Sequence, residues 1–128
     1  MNTKKERAHS GEVSCVALFG NNTLVTGGRD GSIHIYTDYL RASQPKATFQ
    51  TSDRSPVTAL IFLDNDHIFV GTSGGSLDRI RIGQGTSQMF YRRENASVLS
   101  VCAMNDETSF VVSTIRELVV FNYKQKKM

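Results

Sequence analysis

No segment of this chain is apolar for long enough to cross a bilayer, and no apolar stretch follows Met1. Neither a transmembrane span nor a signal peptide is therefore expected. No window keeps apolar residues at a 3.6-residue spacing beyond a single turn, which excludes a helical domain. Cysteine is scarce: Cys15 and Cys102 fall in the first strands of two separate units and are not expected to bond. They read as small buried thiols in a reducing compartment, with cytoplasm or nucleus as the expected location. Histidine is scarce too, and His9, His34 and His67 share no face-forming spacing with one another or with a cysteine. No metal and no other cofactor is expected. His34 reads as an outward strand residue and His67 as a hairpin-turn residue.

What the chain does have is a repeat. At an offset of 44 residues, Val13, Val16, Leu18, Gly27, Gly31 and Ser32 meet Val57, Leu60, Phe62, Gly71, Gly75 and Ser76. So many same-class matches at one offset mark an internal repeat. A third copy begins 41 residues later, with Val98, Val101 and Ala103 standing for Val57, Leu60 and Phe62. There Val111-Val112-Ser113 stands for Leu24-Val25-Thr26, and the copy ends near Phe121. Each unit is built of short β-branched and apolar runs broken by Gly, Asn and Asp, the pattern of meandering hairpins. In the first unit the runs predict strands at about 12–19, 23–27, 32–36 and 46–50. The turns Gly20-Asn21-Asn22 and Arg29-Asp30-Gly31 join them, since these residues tolerate the positive φ of tight hairpins.

A period of 40 to 45 residues carrying four strands is a propeller-blade pattern, and residues 9–123 resemble the WD40 repeat family. The first repeat carries the family's parts in order: His9, the Val13 and Val16 strand, Thr26, Asp30, and Tyr36 where the family usually has Trp. The resemblance implies an all-β fold, a partial β-propeller of three four-stranded antiparallel blades at about 9–52, 53–93 and 94–123, the last incomplete. Basic tails at 1–8 and 124–128 flank them. It also implies a hydrogen-bonded chain of His9, Thr26, Asp30 and Tyr36 tying a loop to blade one. Repeat two has Val70, Gly74 and Ile80 at the last three of these positions, and repeat three keeps only Ser113 and Phe121. Blades two and three are expected to rest on apolar packing alone.

Other motifs have plainer explanations. Gly27-Gly28-Arg29-Asp30-Gly31 and Gly71-Thr72-Ser73-Gly74-Gly75 precede no helix and lack a P-loop Lys, so they read as turns, not phosphate cradles. Asp64-Asn65-Asp66 lacks the Gly and distal Glu of a calcium loop and reads as a turn. A catalytic reading of His9 and Asp30 with a nearby hydroxyl is the least favoured, because the repeat pattern buries such a His. The net charge of +3 comes from the tails, since residues 9–123 hold 9 basic against 11 acidic residues. Phe90, Tyr91, Arg92 and Arg93 interleave aromatic and basic side chains, as a base-stacking strip does, and also fit a fourth, outer strand of blade two.

The function expected from this reading is a non-catalytic protein–protein interaction scaffold. It would complete a propeller with another chain or a second copy, because an open array exposes an apolar sheet face at each end. Val119, Val120 and Phe121 give no polar outer face to the last repeat. The alternative is an anionic-surface or nucleic-acid binder acting through the basic tails and the strip from Phe90 to Arg93. By resemblance, a protein or peptide partner would meet the loop-bearing face at Glu12, Ser14 and Arg29 in repeat one and at Pro56, Thr58 and Ser73 in repeat two. Arg29 leads this set, because a guanidinium on a rim loop can grip a carboxylate or phosphate in a bidentate way.

Overall fold

Alternating apolar residues punctuated by Gly and Asp turns produce three antiparallel meanders, and no helix, in a computed structural model that describes residues 11–19, 23–37, 45–63, 66–103 and 109–122. His9, the Gly20-Asn21-Asn22 turn, Asp64, Asn65, Tyr123 and both basic tails lie outside the described residues. Blade one comprises β1 (Val13–Phe19), β2 (Thr23–Gly28), β3 (Ser32–Thr37) and β4 (Ala47–Gln50). Blade two comprises β5 (Val57–Phe62), β6 (His67–Thr72), β7 (Ser76–Arg81) and β8 (Thr86–Arg92), and blade three β9 (Val98–Ala103), β10 (Ser109–Thr114) and β11 (Leu118–Asn122). Strands pair in chain order within each sheet. The β2–β3 and β6–β7 turns close on Gly31 (φ 80°) and Gly75 (φ 98°), conformations that a Cβ would strain.

Because side chains alternate across a strand, each blade has two apolar faces. Cys15, Ala17, Val25, Ile33 and Ile35 of blade one pack against Val57, Leu60, Ile68, Val70 and Ile80 of blade two. The opposite face of blade two, with Ala59, Phe69 and Leu77, packs against Val98, Val101, Phe110, Val112 and Phe121 of blade three. Phe90 and Tyr91 pack onto this second interface, each within about 5.4 Å of the Phe121 ring.

Several sequence readings need correction. In β10 it is Val112 that pairs with Val101 and so occupies the Thr26 place, not Ser113, which pairs with Ser100 one step along. A one-residue step moves a side chain to the other face, so Val112 is buried and Ser113 is not. His67 is the first residue of β6, buried and opposite Arg81, and is not a turn residue. His34 is half-buried with its ring 6.4 Å from that of Tyr36. Cys102 is exposed, whereas Cys15 is half-buried and its thiol is pushed up by burial. Of Val119, Val120 and Phe121, only Val120 faces outward; its neighbours pack on blade two.

Candidate functional site

In a four-stranded meander the start of the first strand, the turn between the second and third, and the end of the fourth all lie at one edge. The blades therefore gather residues 11–12, 29–31, 51–56, 73–75, 93–97 and 115–117 along a single loop-bearing rim. The rim is locked to the sheets by a device repeated at both interfaces. Each first strand carries a register shift just after its leading valine, at Ser14 in β1 and Thr58 in β5. A bulge re-aims the side chain it carries. Here the Ser14 hydroxyl donates to the Val57 carbonyl (2.5 Å) and the Thr58 hydroxyl to the Val98 carbonyl (2.5 Å), in each case on the next blade. The valine that follows then presses on a glycine: a Cβ on Gly27 would lie 2.5 Å from Val57 Cγ1, and one on Gly71 would collide with Val98. The third bulge holds Leu99, which has no hydroxyl, and Ser113 stands in the glycine place.

Blade two does not rest on apolar packing alone, which corrects the expectation drawn from its missing repeat residues. Asp78, 1% exposed on β7, accepts from the backbone N–H (2.6 Å) and hydroxyl (2.7 Å) of Ser52 on the linker from blade one. Asp53 accepts from the Thr72 hydroxyl (3.0 Å) and from the Ser55 N–H (3.1 Å), and Arg92 lies 3.9 Å away. The Thr72 and Ser76 hydroxyls are 3.0 Å apart. Burial pushes the Asp78 carboxyl above the ordinary carboxylate value; the Asp53 charge acts the same way, against hydrogen bonds from Ser52 and Ser76. Burial also works on Asp53, but hydrogen bonds from Ser55 and Thr72 and the Arg92 charge outweigh it and hold that carboxyl low. The available signal was weak, because Asp78 stands among Ser76, Arg79 and Arg81 in a strand with only Leu77 and Ile80 apolar. The repeat alignment passed over it because Asp78 falls on the His34 position and not on one of the family's polar places.

The proposed loop-to-blade chain is described in part. Thr26 and Tyr36 are buried, and the half-buried Asp30 accepts from the N–H (3.1 Å) and hydroxyl (2.7 Å) of Ser32, while His9 lies outside the described residues. Asp30 thereby caps its own turn. The partner-contact candidates divide. Ser14 and Thr58 spend their hydroxyls on the interblade lock. Pro56 and Ser73 are half-buried, joined by a bond from the Ser73 N–H to the Pro56 carbonyl (3.0 Å). Glu12 and Arg29 are exposed and form an ion pair at 3.2 Å, side by side through a backbone bond from the Arg29 N–H to the Glu12 carbonyl. Asp66 of the acidic turn is held by Arg81 (3.4 Å) and the Gly83 N–H (2.5 Å). Among the described residues no cluster of His, Cys, Asp and Glu is disposed to hold a metal.

Comparison with known proteins follows the same lines. Residues 2–37 match the WD40 family, described as WD domain, G-beta repeat. Dynein axonemal assembly factor 10 of Dictyostelium discoideum is 28% identical over 81 residues, covering 56% of this chain and 22% of that protein. Among solved structures, the C-terminal WD40 domain of Sif2 superposes with a TM-score of 0.77 at 15% identity, over 94% of this chain and 34% of that one. A chain of the mitotic checkpoint complex does so at 0.81 and 18% identity, over 94% and 37%. The chain thus spans about a fifth of that relative and a third of those structures. Residues 2–37 thus match a WD40 repeat, and the described sheets have the fold of WD40 propeller blades.

Proposed function

We propose that this chain is a non-catalytic protein-interaction scaffold whose ring is completed by blades of another chain or a second copy. The observation that carries the reading is the contrast between equivalent faces. Val57 and Leu60 of β5 are buried against blade one, whereas the matching Val13, Val16 and Leu18 of β1 are exposed, Leu18 at 68%. Leu99, Leu118 and Val120 are exposed in the same way on the far side of blade three. Faces this apolar are normally covered by a partner. The WD40 fold generally mediates protein–protein interaction, a relative bears the name of an assembly factor, and one structural neighbour is part of a multi-protein complex. Cytoplasm or nucleus remains the proposed location.

Light scattering of the purified chain across dilution tests the reading. A stable dimer, or a discrete complex with one copurifying protein, is the expected result. A monomer that stays soluble and unfolds cooperatively with no interactor would sink it. The nucleic-acid alternative loses its best feature, because Phe90 and Tyr91 are engaged in the interface with blade three and cannot stack a base there.

A further inference from the structure

We propose, resting on the scaffold reading, that the open face of blade one receives a blade of a different chain and rejects a second copy of this one. The partner blade carries glycine in its second strand and serine or threonine in its first-strand bulge. The two joints inside the molecule set this rule. In each, the leading valine of one blade sits on a glycine of the blade before it, Val57 on Gly27 and Val98 on Gly71. In each, the carbonyl of that valine accepts from the bulge hydroxyl of the blade before it, Ser14 or Thr58. Blade one presents the same leading face to solvent. Val13, Val16 and Leu18 hold the register places of Val57, Leu60 and Phe62, and all three are exposed. The face continues two established joints, so the half it needs is defined: a glycine under Val13 and a hydroxyl beside the Val13 carbonyl.

Blades follow one another around a ring in one direction, so a second copy would meet Val13 with the far face of its blade three. Register fixes what stands there. Gly27 lies between Cys15 and Ile33, and Gly71 between Ala59 and Leu77; the same place, between Ser100 and Leu118, holds Ser113. The third bulge holds Leu99 where the first two hold Ser14 and Thr58. Both differences act against Val13. A Cβ on Gly27 would lie 2.5 Å from Val57 Cγ1, closer than real Cβ contacts come. At the same spacing the Cβ of Ser113 would hold the blades apart and forfeit the close packing behind it. Leu99 cannot donate, so the Val13 carbonyl would leave water without the hydrogen bond that its two counterparts have. Leu118 and Val120 are exposed on that same far face, so the copy is rejected by misfit and not by want of apolar surface.

The test uses full chains as each other's partners. The probe carries Leu99→Ser and Ser113→Gly, which give blade three the missing hydroxyl and glycine, together with Val13→Asp, which blocks its own leading face. The control carries Val13→Asp alone. Fluorescence anisotropy of each, labelled, is followed as the unlabelled parent is added. The probe is expected to bind the parent at least tenfold more tightly than the control does. Leu99→Ser makes the probe face less apolar, so unspecific hydrophobic association predicts the reverse order. Urea unfolding checks that the probe is folded. A third chain with Leu99→Ser and Val13→Asp, which keeps Ser113, is expected to gain severalfold and serves where the probe does not fold. Equal binding of these chains and the control, or no binding, would overturn the proposal. A parent that dimerises tightly by itself and loses the dimer on Val13→Asp would overturn it while leaving the scaffold reading intact. A parent that stays a soluble monomer and copurifies with no protein would remove both.

Discussion

The two interfaces between blades share a frame and differ in filling. Both use a leading valine on a glycine of the preceding blade, Val57 on Gly27 and Val98 on Gly71, and both fasten that contact with a hydroxyl from the bulge, Ser14 or Thr58. Inside that frame the first interface is aliphatic, with Val25, Ile33, Ile35, Leu60, Ile68, Val70 and Ile80. The second is aromatic: Phe110 lies 4.2 Å from Phe69 and 5.2 Å from Phe121 between ring centroids, and Phe90 meets Phe69 edge-on at 5.2 Å. The difference teaches that blade spacing is set by backbone contacts at one edge, and that the interior is free to vary provided its volume is filled.

The widest gap between the interfaces is expected from truncating their centres. Phe110→Ala should lower stability by about 4 kcal/mol and Ile33→Ala by about 3 kcal/mol, from the size of the voids left; urea denaturation measures both. Equal losses would mean that the aromatic cluster adds nothing beyond volume. The shared frame is tested next. Gly71→Ala should destabilise by about 2 kcal/mol through overpacking on Val98. Adding Val98→Ala should recover part of that loss, so the double variant is more stable than the sum of the singles implies. Strict additivity would show that the glycine and the valine act independently.

The polar groups extend the comparison from interfaces to blades. Asp78 in blade two is titrated from above: its folded carboxyl value is raised over the ordinary 3.8, so the folded state binds the proton more tightly than the unfolded chain does. Stability is then reduced at pH above the raised value and recovers as pH falls toward 3.8. Asp53, held low, acts oppositely, its contribution being present above 3.8 and lost at lower pH. The parent should therefore gain stability relative to Asp78→Asn as pH falls toward 3.8, read from urea midpoints across a pH series. A constant difference would remove Asp78 from the account. The smallest effects belong to the polar turn residues of blade one. Asp30→Ala should lower stability by about 1 kcal/mol by uncapping the turn at Ser32. Arg29→Ala should leave stability within about 0.5 kcal/mol, because its ion pair is exposed, and should weaken partner binding.

Strand positions in blade one were legible to within a residue: the runs at 12–19, 23–27, 32–36 and 46–50 became Val13–Phe19, Thr23–Gly28, Ser32–Thr37 and Ala47–Gln50. Register in blade three was not. Val111-Val112-Ser113 offers apolar residues at consecutive positions, so composition cannot say which faces in, and only pairing with β9 puts Val112 inside. The role of the rim candidates was half legible. Ser14 and Thr58 were placed at the right edge from the repeat, but a bulge cannot be seen in the one-dimensional pattern, so hydroxyls committed to the next blade looked available to a partner.

The sequence by itself determined the period, the four-strand unit and the positions that need glycine, because local turn chemistry and side-chain alternation act within a few residues. Only the tertiary structure decided which hydroxyls lock neighbouring blades, why two aspartates in blade two move in opposite directions, and that arginines spread along a net-acidic chain share one rim. Each of those depends on groups roughly 20 to 90 residues apart brought to one sheet edge, and neither burial nor field at such a meeting is a property of any single segment.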